Sequence, residues 1–118
     1  MGDYYSVSGA LILDTRQVEL LKQLLSANED QNPYVESWIF SDGGGMTYAF
    51  FGYELKEFAL RRLRAQLQRI ADTIQTQDAD LEGLDYVEGR FWVVCPDEDP
   101  EYEWILADGQ FDERLLAP

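Results

Sequence analysis

Histidine is absent from this 118-residue chain, and cysteine occurs once. The first absence removes the commonest general acid–base near neutral pH and the commonest transition-metal ligand. Serine or cysteine triads of the usual kind are therefore excluded. The lone Cys95 excludes an intrachain disulfide and a thiolate zinc site. Its place in the apolar run Phe91-Trp92-Val93-Val94-Cys95 reads as a small buried hydrophobe rather than a reactive thiol. A single cysteine also fits a reducing compartment. No apolar run is long enough to cross a bilayer. The first residues, Met1-Gly2-Asp3-Tyr4-Tyr5, have neither a basic start nor an apolar segment, so no signal peptide and a cytoplasmic location are expected. Met1 to Ser6 matches only the bare spacing of a myristoylation site, too short a pattern to carry an argument.

Basic residues are the other scarcity. Nine lysines and arginines face 23 aspartates and glutamates, a net charge of −14. With 46% hydrophobic and 14% aromatic residues the chain still has ample material for a core. Its length suits one domain, taken as residues 1–118.

The hydrophobic period changes along the chain. Residues 4 to 13 alternate at Tyr5 and Val7 and then run apolar after Gly9, which predicts a strand. Asp14 with Gln17 three residues on has the spacing of a reciprocal capping box, and Val18, Leu21, Leu24 and Leu25 give one face of a helix over about 15–26. Tyr34 to Phe40 and Met46 to Tyr53 are aromatic-rich runs of strand length around Ser41-Asp42-Gly43-Gly44-Gly45. They predict a hairpin with a long, flexible tip. A phosphate loop is the poorer reading of the glycines, because no lysine and no helix start follow them. From Leu55 to about Gln77, Leu60, Leu63, Leu67, Ile70 and Ile74 recur at helical spacing. Two further strands are expected over about 86–95 and 102–108, with Asp108-Gly109 as a turn and a tail that packs or frays.

The resulting order is strand, helix, strand, strand, helix, strand, strand. Its first six elements match the split β-α-β-β-α-β arrangement of ferredoxin-like α+β folds, with an extra C-terminal strand. Both helices would then cover one face of an antiparallel sheet. Alternation puts large groups on both faces: Tyr48 and Phe50 oppose Ala49 and Phe51, Trp38 opposes Ile39, and Trp92 opposes Phe91. Two helices can cover only one set, and monomers seldom expose the other without use.

The charge is unevenly spread. Lys56, Arg61, Arg62, Arg64 and Arg69 give the long helix an excess of bases, expected to neutralise the domain's own carboxylates. The acid is densest between Asp78 and Glu103. Such a field repels nucleic acid and suits a basic protein partner. Asp97, Glu98, Asp99, Glu101 and Glu103 are the candidate partner-binding carboxylates, with Tyr102 and Trp104 as neighbouring anchors. The same segment is a poor calcium loop: Tyr102 stands where glycine is needed, and Asp108 where a bidentate glutamate is needed.

No catalytic residue, cofactor or metal is therefore expected, and no direct contact with nucleic acid or membrane. In size, charge and lack of catalytic residues the chain resembles small phage-encoded anti-CRISPR proteins and other DNA mimics, although it shares no motif with them. That resemblance implies an acidic inhibitor of a basic, nucleic-acid-handling protein in a host cytoplasm. The alternative is an immunity-type or dimerising interaction module that binds through the aromatic sheet face, with homodimerisation as one form of it.

Overall fold

The computed structural model describes residues 4–27, 37–77, 84–94 and 101–116. Along the chain run β1 (Tyr4–Leu13), α1 (Thr15–Ala27), β2 (Trp38–Gly43), β3 (Met46–Lys56), α2 (Glu57–Thr73), β4 (Gln75–Gln77), β5 (Leu84–Tyr86), β6 (Glu88–Val94), β7 (Tyr102–Ala107) and β8 (Gln110–Leu115). The fold is α+β. Its main sheet is six-stranded and antiparallel, in the order β2-β3-β1-β6-β7-β8, and β4 pairs with β5 in a separate two-stranded ribbon.

The period-two pattern of the strands decides which face is buried. Val7, Leu11 and Leu13 of β1, Ala49, Phe51 and Leu55 of β3, Phe91 and Val93 of β6, and Trp104 and Leu106 of β7 all lie in the core. Val18, Leu21 and Leu25 of α1 and Leu60, Leu63, Leu67 and Ile70 of α2 join the same cluster. Both helices therefore cover one face of the sheet. The other face carries the residues of opposite parity, among them Ile39, Phe50 and Trp92, which are exposed.

One lateral row holds the buried face together. In the sheet register Trp38 lies beside Phe51, Phe51 beside Gly9, Gly9 beside Phe91, and Phe91 beside Trp104. The Trp38 ring sits 5.1 Å from Phe51 and 5.9 Å, edge-on, from Phe91, so rings from both sides of β1 close over the glycine. A Cβ on Gly9 would strike the Arg90 carbonyl oxygen and approach Phe91 Cδ1 to 2.6 Å. Glycine is required there for space, at its own cost in strand propensity.

The helix starts follow local chemistry. At α1 the Asp14 N–H donates to Gln17 Oε1 at 2.9 Å, and the Gln17 N–H donates to Asp14 Oδ1 at 2.8 Å. This is the reciprocal box that the spacing predicts. At α2 the cap residue is Lys56, which makes no side-chain cap bond, and the first turn instead carries Glu57, favourably placed on the helix dipole.

Three boundaries differ from the sequence expectation. The long helix is shorter, because Leu55 completes the alternation of β3 and the chain leaves the helix at Thr73. There the Thr73 hydroxyl donates to the Arg69 carbonyl at 2.6 Å, and Ile74 is extended. The β-branched run Thr73-Ile74 and Thr76 then favours the β4 ribbon over further helix. The glycine-rich tip is tight rather than long: Gly43 pairs with Met46, and only Gly44 and Gly45 turn the chain, both at positive φ (63° and 85°). That is the two-residue hairpin geometry glycine permits. The tail does not fray but turns at Asp108-Gly109 (φ 55° and 77°) and returns as β8, so the sheet gains two strands beyond β6 rather than one.

These contacts predict opposite outcomes at two glycines of neighbouring strands. Gly9→Ala should lower unfolding free energy by about 2–3 kcal/mol, because the added methyl forces strand or ring displacement. Gly52→Ala, whose Cβ meets nothing within 4 Å, should be neutral within about 0.5 kcal/mol. Urea unfolding measures both, and a Gly9→Ala value as small as that of Gly52→Ala would contradict the packing described.

Candidate interaction surface

The uncovered face has a relief set by side-chain size. Ser8 and Ala10 of β1 and Gly52 of β3 are small and form its floor. On the β3 side rise Phe50, Tyr48 and, from β2, Ile39, while on the β6 side rise Trp92, Arg90 and, from β7, Ile105. The two walls stand two strand spacings apart, about 10 Å. Between them lies an open trough of about 1000 Å³.

The walls are apolar and substantially bare. Ile39 is 65%, Phe50 45% and Trp92 43% exposed. Tyr48 and Phe50 stack on one another with ring centroids 6.2 Å apart, so one wall is a paired aromatic plate rather than two independent rings. At the other wall the Arg90 Nε lies 3.8 Å from Glu103 Oε1. Glu103 sits directly opposite Trp92 in the register and is buried. The ion pair keeps that carboxylate from being left alone under the indole.

The charge of this face is mixed. Register and alternation place Glu54, Glu88, Glu101, Glu103 and Asp112 on it, together with Lys56, Arg90 and Arg114. Among the described residues five acids stand against three bases on this face.

Of the residues proposed from sequence as a partner site, Glu101, Tyr102, Glu103 and Trp104 are described. Asp97, Glu98 and Asp99 lie outside the described residues, as does Cys95. Glu101 is exposed, whereas Glu103 is buried against Arg90. Trp104 faces the helices, fully buried, and its indole N–H donates to Glu113 Oε1 at 2.9 Å. It is a core residue and not an exposed anchor. Tyr102 shares that face, half-buried and packed on the core. Alternation separates the carboxylates from these rings correctly, but it does not say which side the helices take.

Helix arginines behave in part as expected. Arg61 pairs with Glu57 at 2.7 Å, and Arg64 reaches Glu113 at 3.3 Å, tying α2 to β8 through the same carboxylate that holds Trp104. Arg62 instead stacks on the exposed Phe58 ring, 4.5 Å from its centroid. Among the described residues no group of three or more aspartates, glutamates, histidines or cysteines converges to hold a metal ion, and no helix is long and apolar enough to cross a membrane.

Arg90 is a residue of the open face that sequence reasoning missed. The available signal was its position, an arginine alternating with Glu88 and Trp92 on the strand that faces Ala10. Comparison of the chain with protein-family models, curated proteins and solved structures finds no match.

The two ion pairs should separate in a stability measurement. Arg90→Ala strands a buried carboxylate and is expected to cost about 1–2 kcal/mol. Arg61→Ala breaks an exposed pair and should cost no more than about 0.5 kcal/mol. Equal losses in chemical unfolding would show that Glu103 does not depend on Arg90.

Proposed function

We propose that this protein is a non-enzymatic interaction module that docks a protein partner through the open aromatic face of its sheet. The observation that carries this reading is the paired-wall trough: Ile39, Phe50 and Trp92 are each more than two-fifths exposed on one continuous surface, over a floor of small residues. Contiguous apolar surface of that kind is characteristic of interaction sites, and large aromatic groups are the usual anchors of docked complexes. We also infer that β1, α1, β2, β3, α2 and β6 form a ferredoxin-like split β-α-β-β-α-β unit, extended at one edge by β7 and β8. The order β2-β3-β1-β6 supports this assignment.

A second reading rests on where the acid lies. The densest acidic segment of the sequence, Asp78 to Glu103, includes the exposed Glu101. That field suits a basic, nucleic-acid-handling protein, which the chain would inhibit as a DNA mimic. The two readings rest on different residues, the apolar wall of the trough and the acidic segment, and variants distinguish them.

The immobilised chain, exposed to a lysate that also contains untagged copies of itself, should retain a partner through a rising salt wash. Retention should be lost with Phe50→Asp and kept with Glu101→Lys. Retention that survives Phe50→Asp but is lost to salt, to added duplex DNA and to Glu101→Lys would overturn the sheet-face reading in favour of the acidic inhibitor.

A further inference from the structure

We infer that the partner seated on the open sheet face is a second copy of this chain, a step that rests on the interaction reading above. Three observations select this occupant. The first is charge. The described residues of this face mix both signs, with three of the nine bases, Lys56, Arg90 and Arg114, set among five acids, Glu54, Glu88, Glu101, Glu103 and Asp112. A face of mixed sign is complementary to itself, as a two-fold contact requires. The excess of acid over base on this face disfavours a phosphate-bearing partner.

The second is area. Six strands at about 4.8 Å and some six residues at about 3.3 Å make a face of roughly 600 Å². Two such faces bury about 1200 Å² together, the lower edge of the range for stable specific interfaces. A small ligand would leave most of that surface wet, because the trough is open along its length rather than closed around a guest.

The third is relief. Stacked sheets sit about 10 Å apart with interdigitating side chains. The Tyr48 and Phe50 plate of one copy is a ridge, and the floor of Ser8 and Ala10 in the other is the matching hollow. Across a two-fold axis each copy supplies both. The net charge of −14 on each chain opposes larger assemblies.

Sedimentation equilibrium on the full chain, from about 5 µM to about 500 µM and at low and high salt, tests the inference. The expected result is a species of twice the 13.6 kDa chain mass whose dissociation constant falls as salt screens the repulsion between two acidic copies. Phe50→Asp and, separately, Trp92→Asp should weaken it roughly tenfold or more. Both residues are exposed in the single chain, and unchanged circular dichroism and melting would confirm that the variants fold. A chain that stays monomeric at every concentration and salt overturns the second-copy inference. The interaction reading then survives only if Phe50→Asp still abolishes capture of a foreign partner. A dimer that persists in both folded variants overturns the inference as well, by placing the contact elsewhere.

Discussion

Ser8, Gly9 and Ala10, three small residues at the middle of an inner strand, set both faces of this protein. Gly9 points toward the helices, and its missing side chain is the space into which Phe51, Phe91 and Trp38 close. Ser8 and Ala10 point the other way and leave the trough between the two aromatic walls. The same local economy of volume makes a dense ring cluster on one side and a hollow on the other. A larger residue at any of the three would fill the hollow or push the rings apart, since interiors of this density do not absorb a methyl group freely.

The remaining architecture supports that centre. The capping box of Asp14 and Gln17 starts α1 immediately after β1, so the first helix lies back over the strand it has just left. Glu113 joins the added strand β8 to both Trp104 and Arg64, which fixes the far edge of the sheet to α2. On the open side Arg90 and Glu103 hold the foot of the Trp92 wall. A net charge of −14 keeps such chains apart in solution at low salt.

Much of this was legible in the residues, and the parts that were not have physical reasons. Alternation at Ala49, Phe50 and Phe51 and at Phe91 and Trp92 identifies two faces but is symmetric between them, because both carry large apolar groups. The register breaks the symmetry: only the Phe51 and Phe91 face has a glycine between them to receive the rings. Leu55 satisfies a helical and a strand period at once, and β3 wins because Leu55 continues the buried side of Ala49 and Phe51. The tail is a strand because Asp108-Gly109 turns it back along β7, a tertiary consequence that eight residues of sequence do not announce. Trp104 resembled an exposed anchor from its acidic neighbours, but neighbours in a strand face opposite ways.

The account stands on the open face being a covered surface in the working protein, and one indole reports on it. Of the three tryptophans, Trp38 and Trp104 are buried and only Trp92 is exposed. Acrylamide quenching of tryptophan emission, followed as protein concentration rises, therefore reads that face directly. The account predicts that the quenchable component shrinks and its emission shifts to shorter wavelength as copies associate. Trp92 emission that stays equally quenchable and unshifted throughout would contradict it.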